Sequence, residues 1–225
     1  MTGFLRKAWA IVWKDLVAEW RSKDALGAMF IFAVISLMIF NFALDLSSVE
    51  TRIVAPGILW VAFIFAGILG LNRSFSREKD QGNLEGLMLA PVDRSAIYVG
   101  KLLSTLVILF AVEAITLPLF AALFNVALPV FALLVPLVLG SVGFAVVGTI
   151  FAAMAVNTRL RDVLLPLLLL PILVPVVIAA VKASGAVVNG QSLIVDAGHW
   201  VGLLVAFDVI FLTASLLLFE FVLEE

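Results

Sequence analysis

The sequence predicts an all-α integral membrane protein of six transmembrane helices, preceded by an amphipathic interfacial helix and with both termini in the cytoplasm. Three observations predict it. Of 225 residues, 64% are hydrophobic and only 13% charged, against roughly 45–50% apolar in an ordinary soluble domain. Six apolar runs have about the ~20-residue length that a helix needs to cross a ~30 Å hydrocarbon core: Leu26–Leu44, Val54–Asn72, Leu102–Phe124, Pro129–Val156, Val163–Val181 and Val201–Phe221. Of the 14 basic residues, all but Arg52 and Lys182 fall in the alternate segments that share a side with the N-terminus. Lys and Arg are retained on the cytoplasmic side, so the bias sets the orientation. Little chain is left for a soluble domain, and residues 1–225 read as one membrane domain.

Each element has its own justification. In residues 4–22, Trp9, Val12, Trp13, Leu16 and Trp20 recur at helical spacing, with Lys7, Lys14 and Arg21 elsewhere on the turn. This predicts a helix in the inner interface, Trp among headgroups and the cations toward anionic lipid. The first apolar run follows that charged stretch and no small-residue cleavage site comes after it, so no signal peptide is expected to be removed. The second run carries small residues every fourth position, Ala62, Ala66 and Gly70, and the fourth carries Ser141, Ala145, Thr149 and Ala153. Such stripes let helix backbones approach closely, within one chain or across a homodimer seam. The fifth run holds Pro166, Pro171 and Pro175. Each removes a backbone donor, which fits either a static kink or a cavity-lining, moving element. The inner loop Asn157–Asp162 is basic, as an anchor or a second docking contact. The outer loop Ala183–Trp200 is too short for a soluble domain and fits a re-entrant or interfacial piece.

The polar stretch 73–101 is the longest interruption. Arg77 and Glu78 lie in its charged lead-in, Gly82 can take a positive φ, and Leu84, Leu87 and Met88 share a face with Glu85 on another before Pro91 ends the turn. This predicts a short amphipathic helix under the bilayer. A loop that only joined two spans could be four residues long and would need no apolar face, so a cytoplasmic partner is expected to dock there.

Three residues in or beside the spans attract chemical readings. An ionisable side chain in hydrocarbon is a functional candidate by default, and Glu113 and Asp208 qualify. At ~1.5 Å per residue, Glu113 lies about 18 Å in from Lys101 and Asp208 about 12 Å in from Trp200. Across a ~30 Å core those depths coincide. The pair fits a shared polar cavity carrying protons or substrate, or two separate hydrogen bonds that fix packing. His199, the single histidine, is of the type that ligates heme iron, and it also sits beside Trp200 where rings collect at an interface.

The segments "RSFSREKDQGNLEGLMLAPVDRSAIYVGK", "APGILWVAFIFAGILGLNRSF", "VLLPLLLLPILVPVVIAAVKA" and "LLLFEFVLEE" together resemble the heme exporter protein B family, ABC-2-like permease subunits of bacterial cytochrome c maturation. The first of them is similar to the coupling-helix region of ABC-2 permeases, and the resemblance runs over nearly the whole chain. It implies a multi-pass inner-membrane subunit paired with a second copy. It also implies a separate cytoplasmic ATPase, a heme-handling membrane protein and a periplasmic heme chaperone, and it places ATPase coupling on Arg77, Glu78, Gly82, Leu84, Glu85, Leu87, Met88 and Pro91. Heme is the implied cargo, and ATP enters through the partner.

What the sequence lacks agrees with that division of labour. A phosphate-binding loop needs a glycine-rich turn before Lys and Ser or Thr. The nearest approach, Gly100-Lys101, is followed by Leu102 and has Ser95 where the first Gly belongs. With no cysteine, disulfides, thiolate metal sites and c-type heme attachment are excluded. No catalytic or metal constellation is present, so an enzyme is not expected. Two other classes stay open: a proton-coupled secondary transporter using Glu113 and Asp208, and a non-transporting scaffold for cytochrome assembly.

Overall fold

The structure is a computed structural model that describes residues 2–44, 48–126, 128–156, 158 and 160–222. For residues 2, 48–50, 84, 85, 88 and 222 it describes the backbone alone. The described residues form α1 (Thr2–Ser22), α2 (Asp24–Ala43), α3 (Ser48–Asp80), α4 (Asn83–Leu89), α5 (Arg94–Phe124), α6 (Val130–Ala155), α7 (Arg161–Val188) and α8 (Gly198–Val222). Six of these, α2, α3, α5, α6, α7 and α8, are long and apolar enough to cross a membrane. With no water in the hydrocarbon to satisfy backbone groups, helices are the way such runs can be buried in it.

The spans alternate in direction, so α1 and α4 lie at the end of the bundle where α3, α6 and α8 finish and α5 and α7 begin. α6 is the central helix, packed against α3, α5, α7 and α8. Its small stripe explains why: Ser141, Ala145, Thr149 and Ala153 are all buried, as are Ala62, Ala66 and Gly70 of α3. Both stripes therefore pack inside the single chain. Gly140 of α6 lies where an added Cβ would enter the Trp60 ring of α3. That ring is fixed in turn by its indole N–H, which donates to Ser184 Oγ of α7 at 3.0 Å. α2 and α8 are peripheral, with Ile31, Ile35, Ile39 and Phe42 of α2 and Val209, Ile210 and Leu217 of α8 exposed on the outside of the bundle.

Several expectations change. α7 runs unbroken from Arg161 to Val188 through all three prolines, with Pro171 and Pro175 on its exposed side. Its buried stripe of Leu165, Leu169, Leu173, Val176 and Ala180 stays continuous. The outer loop is consequently shorter than its composition suggests, confined to residues 189–197 between α7 and α8. Its turn is closed by Asp196, whose carboxylate accepts from the Ser192 N–H at 2.8 Å. The polar stretch 73–101 is helical at both ends, since α3 continues to Asp80 and α5 begins at Arg94. Helix outlasts the apolar runs there because the charges on these extensions meet partners.

α1 differs most. It packs along α5 through Ala8, Ile11, Val12, Asp15 and Glu19, all buried, while Trp9, Trp13 and Trp20 are 63%, 61% and 75% exposed. Val12 thus separates from the three Trp residues with which it was grouped, and Lys14 points into an ion cluster, not toward lipid. The acids turn inward because α3 and α5 present cations to them.

Candidate coupling site at the α1–α3–α5 junction

The end of the bundle beneath α4 is held by a compact set of charges. Lys101, on the second turn of α5, is 2% exposed. Its ammonium lies 2.9 Å from Asp15 Oδ2 of α1, is ion-paired with Glu78 of α3, and sits 5.7 Å from the Phe75 ring centroid, within cation–π reach. Lys14 bridges the same two acids, 2.6 Å from Glu78 and 3.1 Å from Asp15. Ser104 Oγ donates to Asp15 at 3.0 Å. One turn further along α1, Glu19 pairs with Arg77 at 3.8 Å. Arg77 also donates to the Ala18 carbonyl at 3.0 Å and to the Ser22 hydroxyl. Three acids, Asp15, Glu19 and Glu78, thereby face three bases, Lys14, Arg77 and Lys101. Removing charges from water is expensive unless each finds a counter-charge, and this set supplies one for every member across three helices.

The cluster continues to neighbouring elements. Glu19 Oε1 accepts from the Leu26 N–H at 2.8 Å, satisfying one of the donors left open in the first turn of α2. Lys23 turns the chain between α1 and α2 with φ 56°. Lys7 donates to the Pro91 carbonyl at 2.7 Å, tying α1 to the segment after α4. Arg161 at the start of α7 reaches Asp80 at the end of α3, 3.4 Å away. Beside these contacts a polar cavity of about 600 Å³ opens between α2, α3 and α7, lined by Arg73, Ser76 and Arg77 among others.

α4 itself begins at Gly82, whose φ of 68° is in the left-handed region that glycine enters without steric penalty. Leu87 is half-buried against the core, whereas Leu89 is 89% exposed and Pro91 is exposed. The side chains of Leu84, Glu85 and Met88 lie outside the described residues. Of the residues expected to meet an ATPase, Arg77 and Glu78 are thus placed with α1, not on the outward side of α4. Sequence reasoning missed Asp15 and Glu19 as members of the site, and missed Leu89. The signal for the acids was their i, i+4 spacing on the stripe Ala8, Ile11, Val12; for Leu89 it was an apolar residue isolated at the end of a polar stretch.

Electrostatics set the pH range of this junction. Burial disfavours charge on Asp15, but Lys101 and Lys14 outweigh it and hold the carboxyl below its usual 3.8. Burial likewise opposes the charge of Lys14, and Glu78 with Asp15 outweighs it, raising the ammonium above 10.5. A lowered Asp contributes stability that is present above its unfolded value and lost as pH falls through the folded one. A raised Lys contributes stability that is present below its unfolded value and lost as pH rises through the folded one. α1 is therefore expected to stay docked from about pH 5 to about pH 9 and to loosen at both extremes. A dye on Trp13→Cys, in a chain with no native cysteine, reads the release, and a monotonic pH response would contradict it.

The intramembrane acids are not brought together. Glu113 of α5 is buried and accepts from the Ser141 hydroxyl of α6. Asp208 of α8 is also buried, has no hydrogen-bond partner among the described residues, and packs at Gly143, where an added Cβ would come within 2.8 Å of its Oδ1. Ser141 and Gly143 are two residues apart, about 200° around a helix. The two acids therefore share a level but stand on opposite sides of α6. His199 is exposed at the far end of the bundle from α1, its ring centroid 4.7 Å from that of Trp200.

The chain has known relatives. The family model described as "CcmB protein" matches residues 6–223. Heme exporter protein B of Rhodobacter capsulatus is 31% identical over 75% of this chain and 78% of its own length. The proteins of the same name from Paracoccus denitrificans (29%, covering 77% and 80%) and Pseudomonas aeruginosa (31%, covering 78% and 79%) are similarly related. With a match of that extent over the six spans and the polar stretch 73–101 alike, the chain belongs to the CcmB protein family.

Proposed function

We propose that this chain is the permease subunit of an ATP-driven ABC transporter complex that serves c-type cytochrome biogenesis, exporting heme or releasing a loaded heme chaperone. The observation that carries the reading is α4, a two-turn helix with Leu89 projecting from the end of the bundle, joined through its flanks to a buried cluster on α1, α3 and α5. A partner that pushes α4 pulls on Lys7 through Pro91 and on Lys14 through Glu78, so the push reaches three helices at once. The names of the relatives supply the cargo, heme, and the absence of a phosphate-binding loop from the sequence assigns ATP hydrolysis to a separate cytoplasmic subunit.

The basic residues favour an orientation in which α1, α4 and both termini face the cytoplasm of a bacterial inner membrane. A second copy of the chain, a heme-handling membrane protein and a periplasmic heme chaperone complete the assembly. Purification in mild detergent with mass spectrometry of co-eluting proteins tests the docking. Wild type is expected to retain an ATPase, and Glu85→Arg and Leu87→Asp to lose it at matched folded yield. A wild type that carries no ATPase, with cytochrome c maturation unaffected by either variant, sinks the reading.

A further inference from the structure

α2 and α7 each pack along α3 but not along one another, so the polar cavity of about 600 Å³ between them opens to the side of the bundle. It lies at the level where three spans leave their apolar runs. Asp24 stands two residues before the run of α2, Arg73 one residue after that of α3, and Asp162 one residue before that of α7. Part of its charge is already satisfied within the chain: Arg77 serves Glu19, Ala18 and Ser22, and Arg161 faces Asp80 at 3.4 Å. Asn72, Arg73 and Ser76 on α3, with Asp24 on α2 and Asp162 on α7, have side chains without a partner among the described residues. Toward the middle of the span the same face of α3 continues at helical spacing through Leu69, Phe65 and Val61, the last two exposed. Phe32 of α2 flanks this stripe, its ring centroid 6.3 Å from that of Phe65.

We propose that this cavity binds the phosphoethanolamine headgroup of a membrane phospholipid, with an acyl chain laid along Leu69, Phe65 and Val61. A guanidinium beside an amide and a hydroxyl supplies donors for phosphate oxygens, and Arg73, Asn72 and Ser76 bring the three together on one face of α3. A primary ammonium carries three N–H donors and matches the carboxylates of Asp24 and Asp162. Basic pockets between spans take anionic headgroups, but three arginines and three aspartates line this one. With the internal pairs set aside, one cation and two carboxylates are left, so an anionic headgroup meets repulsion as well as attraction. A zwitterion of phosphate and ammonium answers both signs. A choline headgroup has no N–H to offer the carboxylates. The sideways opening, and the passage from Arg73 into an apolar stripe, favour a lipid over a soluble phosphate. Arg77 is a wall of both the cavity and the α1–α3–α5 cluster, so the bound headgroup adjoins the junction.

Native mass spectrometry of the full chain, delipidated in detergent and titrated with lipids of identical acyl chains, tests the site. Wild type is expected to bind one molecule of phosphatidylethanolamine saturably, about fivefold or more tighter than phosphatidylglycerol or phosphatidylcholine. Arg73→Gln removes the cation that holds the phosphate and should weaken phosphatidylethanolamine about tenfold. Arg73 is exposed, so the bundle is expected to fold as before, with tryptophan fluorescence as the check. Asp24→Asn combined with Asp162→Asn removes the ammonium partners and keeps the phosphate donors, so the preference should reverse to phosphatidylglycerol. Soluble phosphoethanolamine at equal concentration should not displace the lipid. A wild type that binds the three lipids alike, or prefers phosphatidylglycerol, overturns the site without recourse to any variant. Indifference to both Arg73→Gln and the double variant marks annular lipid and overturns it too. Displacement by soluble phosphoethanolamine at equal concentration would assign the cavity to a soluble ligand and overturn the lipid.

Discussion

Lys101→Met is expected to destabilise the α1–α5 junction by about 3–5 kcal/mol, the usual consequence of removing one partner from a buried ion pair. Methionine fills most of the lysine volume, so the effect is electrostatic. It leaves Asp15, Glu19 and Glu78 against Lys14 and Arg77, and it leaves Asp15 and Glu78 with Lys14 alone, whose side chain is 39% exposed. Adding Asp15→Asn rebalances the charges, and the double variant is expected to recover more than half of the loss, since an amide still accepts from Ser104. Denaturant unfolding in a fixed detergent, read by tryptophan fluorescence, measures both. Additive losses in the double variant would show that Lys101 acts through packing against Phe75 and not through its acids. The size of the effect also separates this cluster from the exposed Arg161–Asp80 pair, which is expected to contribute under about 1 kcal/mol.

The six spans were legible in the sequence because hydrocarbon imposes one simple demand, an uninterrupted apolar run long enough to cross it. Leu59, Leu71 or Leu169 need no particular partner to satisfy that demand. The junction was not legible for the opposite reason. Asp15 pairs with a lysine 86 positions away and Lys14 with a glutamate 64 positions away, and a charged residue on an amphipathic helix reads locally as a solvated one. The Trp stripe on α1 did indicate an outward face; what it hid was that the opposite face was not water-exposed. Glu113 lies between these cases. Its need for a donor follows from burial in the span, but Ser141 as that donor follows only from the packing of α5 on α6. The prolines of α7 show a third limit, since their residue type fits either a kink or a moving element while Pro171 and Pro175, on the exposed side, let the buried stripe continue.

Gly100→Leu is expected to abolish ATP-dependent activity while leaving the six-span bundle folded. An added Cβ at Gly100 would lie 2.8 Å from the Ile11 Cβ and 3.0 Å from the Ala8 carbonyl oxygen of α1. The carbonyl is backbone and cannot rotate away, so α1 as a whole must shift, whereas a flexible side chain such as Met29 opposite Gly70 could yield. Overpacking of this kind costs about 1–3 kcal/mol, occasionally more, and here the strain acts on the helix that the cluster holds. Lys101 is the next residue, so moving α1 off Gly100 also separates Asp15 from Lys101 and Lys7 from Pro91. α4 then keeps its attachment to α3 but loses its tie to α1. The variant should still retain the co-eluting ATPase, because Leu87 and Leu89 are untouched, yet cargo-stimulated hydrolysis should drop to the basal rate. Gly100→Ala, with one methyl in the same place, should fall between the two. Retention of full stimulation by Gly100→Leu, with α1 shown to be displaced by the Trp13→Cys dye, would mean that α1 anchors the bundle in the membrane without transmitting force, and that α4 acts directly on α3 and α5.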